Sequence, residues 1–186
     1  MNKPGIVCAI DADNLLISSA QAGQKFEGYA GFEVGFDNTF KWLRTFGQIL
    51  CVHFYLSPFQ RTNSESLWHV LWKKYRDEFL IESIFCPPKI PQGPLEKPDD
   101  VDAHLVYHSR HIIQLFGERV KYFCLGAGDL DYSPFVWELK RKFSIEIAFE
   151  VGSEGSFSKV YRQAATAGKH PDTGGDLVHQ FWPRRD

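Results

Sequence analysis

Ile6-Val7-Cys8-Ala9-Ile10 is an unbroken apolar run, and it stops at Asp11-Ala12-Asp13-Asn14. A strand buried on both faces reads this way, and such strands belong to parallel sheets covered by helices on both sides. Val120-Lys121-Tyr122-Phe123-Cys124-Leu125 followed by Gly126-Ala127-Gly128-Asp129-Leu130-Asp131 repeats the pattern. Ligands of open α/β sheets sit just beyond the carboxyl ends of the strands. Carboxylates converging there repel one another unless a cation or a shared proton intervenes. Oxygen ligands suit a hard divalent cation, so the pattern points to a Mg²⁺ or Mn²⁺ site.

Strand patterns fall at roughly 5–11, 48–56, 80–86, 119–125 and 144–151. Helix patterns lie between and after them, at roughly 37–46, 63–78, 100–116, 133–142 and 156–166. Alternating strands and helices predict right-handed crossovers and a parallel sheet. The expected fold is a Rossmann-like three-layer α/β/α domain with a mainly parallel central sheet of about five strands, over residues 1–167. Residues 168–186 read as a tail, docked or partly disordered. Residues 18–36, with Gly23, Gly28, Gly31 and Gly35, read either as a mobile loop beside the site or as a plain long connection. Residues 87–98 read as a stiff, Pro-rich loop.

The 186 residues, 44% hydrophobic and only 24% charged, suit one domain with a proper core rather than a disordered chain. Sixteen Phe and five Trp are a heavy aromatic load: most are expected in the core, some are candidate stacking surfaces for bases, and a homodimer is compatible with them. A net charge of −2 argues against tight non-specific duplex binding but not against an acidic site with basic flanks. Cys8, Cys51, Cys86 and Cys124 contain no Cys-x-x-Cys pair, so a structural zinc site is not expected, and buried free thiols are. With no leader-like start and no apolar run of membrane-spanning length, the expectation is a soluble cytoplasmic protein.

In a parallel sheet every strand's carboxyl end lies on one edge, and every crossover helix starts there. Asp11 and Asp13 follow the first strand, Asp129 and Asp131 the fourth. Asp99, Asp100 and Asp102 open the helix after the third. Topology alone therefore brings three groups, remote in sequence, to the same edge. Asp102 lies about 60° around its helix from Leu105, at roughly 100° per residue, so it leans toward the sheet. Asp99 and Asp100 suit a first turn, where carboxylates favour the helix dipole, and Asp131 has the same simple explanation as a cap. Asp129 follows Gly126-Ala127-Gly128, which permits close backbone approach.

Ile10-Asp11-Ala12-Asp13-Asn14 resembles the Asp-x-x-Asn opening of the NYN domains, PIN-like ribonucleases. Gly128-Asp129-Leu130-Asp131-Tyr132 resembles their Ser-Gly-Asp-x-Asp-Phe segment, with Ala127 in place of Ser and Tyr132 in place of Phe. Asp102-Ala103-His104-Leu105 resembles their middle Asp-x-x-Leu helix start. His108 stands where that helix often carries a second Asp, and Asp99 where Lys is common, with Lys97 two residues earlier. The resemblance spans roughly residues 6–150 and implies metal-dependent cleavage of RNA phosphodiester bonds. By position it implies Asp11, Asp102, Asp129 and Asp131 as the acidic metal site, with Asn14 orienting Asp11, a water or the substrate phosphate.

Basic residues Lys97, Lys159 and Arg162 are candidates for contacts to RNA phosphates, the last two because their helix also starts on the acidic edge. His104, His108 and His111 share a helix face, expected to point away from the acidic cleft. Asp11-Ala12-Asp13 also resembles the Asp-x-Asp opening of haloacid-dehalogenase-like phosphatases, with Asp11 as nucleophile and Asp13 as general acid. Asn14-Leu15 departs from that family's continuation, and Asp129-Leu130-Asp131 is too short for its late acidic motif. A non-catalytic RNA-binding or partner-binding module on the same fold is the third alternative.

Overall fold

In the computed structural model the apolar run at the start of the chain forms strand β1, Gly5–Asp11, and all seven of its residues are buried. The structure describes residues 3–21, 28–57, 61–87, 100–128, 130–152, 157–167 and 177–181. After β1 come α1 (Ala12–Gln21), α2 (Gly28–Arg44), β2 (Gln48–Leu56), α3 (Arg61–Tyr75), β3 (Leu80–Phe85) and α4 (Val101–Phe116). Then follow β4 (Val120–Gly126), a 3-10 turn (Leu130–Tyr132), α5 (Ser133–Lys142), β5 (Glu146–Val151), α6 (Lys159–Ala167) and β6 (Val178–Gln180). The six strands form one sheet in the order β3-β2-β1-β4-β5-β6, and every pair is parallel. The predicted α/β three-layer fold is therefore present, with a sixth strand supplied by the stretch read as a tail.

The strand order reverses beside β1. From there the chain steps outward through β2 to β3, then returns to place β4 on the other side of β1. That arrangement leaves a crevice outside the carboxyl ends of β1 and β4, the place where open α/β sheets hold ligands.

Alternation along the strands divides the core into two layers. Val7, Ala9, Cys51, Tyr55, Phe123, Leu125, Ile147 and Phe149 pack with Leu105, Ile112, Phe135, Leu139 and Tyr161 of α4, α5 and α6. Ile6, Cys8, Ile10, Val52, Phe54 and Cys124 pack with Leu15, Phe36, Phe40, Leu43, Trp68 and Leu71 of α1, α2 and α3. All four cysteines are buried free thiols.

Much of the stretch 18–36, expected as a loop or long connection, is helical: α1 runs to Gln21 and α2 begins at Gly28, while 22–27 lie outside the described residues. The glycines misled the sequence reading, and tertiary packing explains one of them. A Cβ on Gly35 would sit 2.6 to 2.9 Å from the Phe181 ring. Gly35 is the slot on α2 that admits a side chain from the end of the chain. Gly35→Ala is expected to cost about 1–3 kcal/mol through this overlap, read as a lower thermal midpoint. Unchanged stability would mean that Phe181 yields freely.

The same end of the chain is fastened by charge. Glu150 is fully buried, and His179 Nδ1 lies 2.8 and 3.1 Å from its two carboxylate oxygens. Burial pushes the Glu150 carboxyl above its ordinary range, and His179 opposes that shift. Trp42 stacks on the His179 ring at 5.0 Å. A buried carboxylate is tolerated only when paired in this way, so β6 is an integral edge of the sheet.

Candidate functional site

Asp11 is the last residue of β1, and its side chain turns into the crevice at 6% exposure. Its Oδ1 accepts a hydrogen bond from the Asn14 backbone N–H at 2.9 Å, inside the first turn of α1. Its Oδ2 lies 2.7 Å from the Tyr132 hydroxyl. The same hydroxyl lies 2.7 Å from Oδ1 of Asp102, the second residue of α4. Three elements that are distant in sequence thus meet at one oxygen atom.

Side-chain and backbone bonds tie the loops of this edge together. Asn14 Oδ1 accepts the Gly128 N–H at 3.2 Å, joining α1 to the loop after β4. Asp13 Oδ2 accepts the Ser57 N–H at 3.1 Å, joining α1 to the end of β2. Ser158 N–H donates to the Gly128 carbonyl at 3.0 Å, bringing the start of α6 against the same loop. A Cβ on Gly126 would lie 2.8 Å from Ile10 Cγ2, so the close approach of β4 to β1 here requires glycine.

The electrostatics are those of acids held together. Burial raises the Asp11 carboxyl from 3.8 to about 6; the Asn14 N–H and the Tyr132 hydroxyl work against that rise, and Asp102 and Asp13 add to it. Tyr132 is fully buried, and its hydroxyl is held far above the ordinary tyrosine range by burial and then by the two carboxylates, so it stays protonated.

Of the residues expected at the site, Asp11, Asn14 and Asp102 are brought together. Asp131 is exposed on the 3-10 turn beside Tyr132. Lys159 and Arg162 are exposed on α6, with the Arg162 guanidinium 5.7 Å from the Phe157 ring. Asp129 and Lys97 lie outside the described residues. Among the described residues, no three His, Cys, Asp or Glu side chains gather closely enough to hold a metal ion. The described part of the crevice contributes two carboxylates. Their donor chemistry fits a hard divalent cation: all oxygen, and converging.

On the histidine face of α4, His108 packs against the sheet: its Nδ1 is 2.9 Å from the Tyr55 hydroxyl, and its ring is 4.9 Å from that of His53. His108 lies seven residues from Val101 and three from Leu105, both buried, so it falls on the flank of the apolar stripe and is drawn inward. Burial, and secondarily His108, holds the His53 imidazole down to about 4, so it is neutral at ordinary pH. Tyr55 is also the register partner of Asp11 on the neighbouring strand.

Tyr132 is the site residue that sequence reasoning missed. The available signal was a tyrosine at a position where the resembled pattern has phenylalanine, next to two carboxylates.

Fold and crevice together define an open, doubly wound parallel α/β domain with paired carboxylates at its switch point. No protein-family model and no curated protein matches the chain. A crystal structure of a protein of unknown function from Vibrio parahaemolyticus is similar to it over 96% of this chain and 93% of that chain, with a TM-score of 0.64 and 17% identity. At that identity the likeness shows the fold alone. No helix among the described residues is long and apolar enough to cross a membrane.

Proposed function

We propose that the protein is a metal-dependent ribonuclease of the NYN, PIN-like class. The observation that carries this reading is the convergence of Asp11 and Asp102 on one point in the switch-point crevice. The motif order noted above supports it. Asp11 and Asp102, with Asp129 and Asp131, would hold Mg²⁺ or Mn²⁺. When bound, such an ion would supply an activated water and neutralise charge on a phosphate oxygen. Asn14 keeps Asp11 oriented through its N–H and fixes the Gly128 loop through its side chain. Lys159 and Arg162 would take flanking phosphates of the RNA, contacts that position a strand without reading its sequence.

The phosphatase alternative needs Asp13 available as a general acid. Here Asp13 Oδ2 is engaged by the Ser57 N–H, which ties the side chain to the end of β2.

The deciding experiment is cleavage of labelled single-stranded and hairpin RNA with Mn²⁺, Mg²⁺ or EDTA, using wild type and Asp129→Asn. Metal-dependent cutting by the wild type, lost in the variant, is the expected result. Equal cutting by both proteins, or none by either, removes the nuclease reading and leaves the non-catalytic module.

A further inference from the structure

We infer that the Tyr132 hydroxyl competes with the divalent cation for Asp11 and Asp102, and so sets how tightly this site takes its metal. The inference rests on the metal-site reading above and concerns a residue at which this chain departs from the resembled pattern.

Four observations support it. First, the hydroxyl stands 2.7 Å from an oxygen of each carboxylate, so it occupies the space onto which both converge. Second, Tyr132 is fully buried and belongs to the core layer of α4 and α5, so the ring cannot swing aside without opening that layer. Third, both oxygens of Asp11 are engaged by protein donors, Oδ1 by Asn14 and Oδ2 by Tyr132. A cation that binds Asp11 must share an oxygen already in use. Fourth, a hydroxyl has one proton and stands against two carboxyl groups, so it can donate to only one at a time, whereas a divalent ion engages both. Tyr132 therefore organises the pair without metal, and the same hydrogen bonds draw charge from the oxygens that a cation needs. Phenylalanine would fill the same space without engaging Asp11 Oδ2 or Asp102 Oδ1.

The test is Mn²⁺ titration of the full chain by calorimetry, wild type against Tyr132→Phe, with thermal midpoints measured without and with Mn²⁺. Tyr132→Phe is expected to bind Mn²⁺ about tenfold tighter, the scale of losing one charge-assisted competing bond. Without metal, its midpoint should fall below that of the wild type, and Mn²⁺ should restore it. A merely structural tyrosine would lower the midpoint without tightening binding. Equal or weaker binding by the variant overturns the inference and leaves the metal site standing. No binding by either folded protein overturns both. Should Tyr132→Phe fail to fold, near-ultraviolet tyrosine absorption of the wild type during Mn²⁺ titration reads the same competition. A shift that tracks binding supports it, and binding without a shift overturns it.

Discussion

Asp11→Asn is expected to make the metal-free protein more stable and, under the proposed ribonuclease function, to cut RNA far more slowly. The stability gain follows from burial. The Asp11 carboxyl rises from 3.8 to about 6 on folding. A raised carboxyl stabilises the fold fully below the unfolded value and loses that contribution as pH climbs through the folded one. Metal-free wild type should therefore lose stability between about pH 4 and pH 6, by up to about 3 kcal/mol at ~1.4 kcal/mol per pH unit. Asparagine cannot ionise. Its carbonyl oxygen can still accept the Asn14 N–H, and its amide can donate to the Tyr132 oxygen, freeing the tyrosine proton for Asp102. The one-proton conflict of the wild-type pair disappears.

The activity should move the other way. In the proposed site the Asp11 charge would hold the cation and balance the reacting phosphate, and its removal should then cost about a hundred- to a thousandfold in turnover. Urea melts from pH 4 to 8 alongside RNA cleavage rates test both halves. A variant less stable than wild type at pH 8 would show that Asp11 is not strained by burial. A variant of undiminished activity would remove Asp11 from the catalytic set.

Phe36→Ala carries the largest expected stability loss. Phe36 is fully buried in α2, with ring centroids 5.1 Å from Phe54 of β2, 5.9 Å from Trp68 of α3 and 4.7 Å from Phe181 beyond β6. One ring thus joins two helices, the sheet and the end of the chain. Its truncation should cost about 3–5 kcal/mol, a large share of the roughly 5–15 kcal/mol that stabilises a domain. Phe143→Ala, at a side chain 41% exposed, is the control and should change stability by no more than about 0.5 kcal/mol. A Phe36→Ala midpoint in urea close to that of the control would mean that this cluster repacks around the gap.

Phe36 also shows where sequence reading failed. It lies in the stretch whose glycines suggested a loop, and its packing partners come from β2, α3 and Phe181. Helical spacing was present in Phe36, Phe40 and Leu43. Gly28, Gly31 and Gly35 masked it, because glycine is ordinarily a poor helix former. The use of Gly35 becomes visible only once Phe181 rests on it. Likewise β6 is three residues long, too short to announce itself by alternation, and its place depends on the pairing of His179 with Glu150.

The acidic edge was legible to a greater degree. Apolar runs that end in carboxylates mark buried strands and their direction, and in a parallel sheet direction alone sends Asp11, Asp102 and Asp131 to one side. Periodicity within single segments encodes this much, since it reports local burial and helix phase. Tertiary structure decided the rest: that β4 returns beside β1, that His108 turns inward onto Tyr55, and that Tyr132 places its hydroxyl between Asp11 and Asp102. These outcomes depend on which segments become neighbours across 30 to 121 positions of chain, and on where a long side chain ends after the core has packed. No local pattern carries that information, because the energy that selects it comes from contacts the segment does not contain.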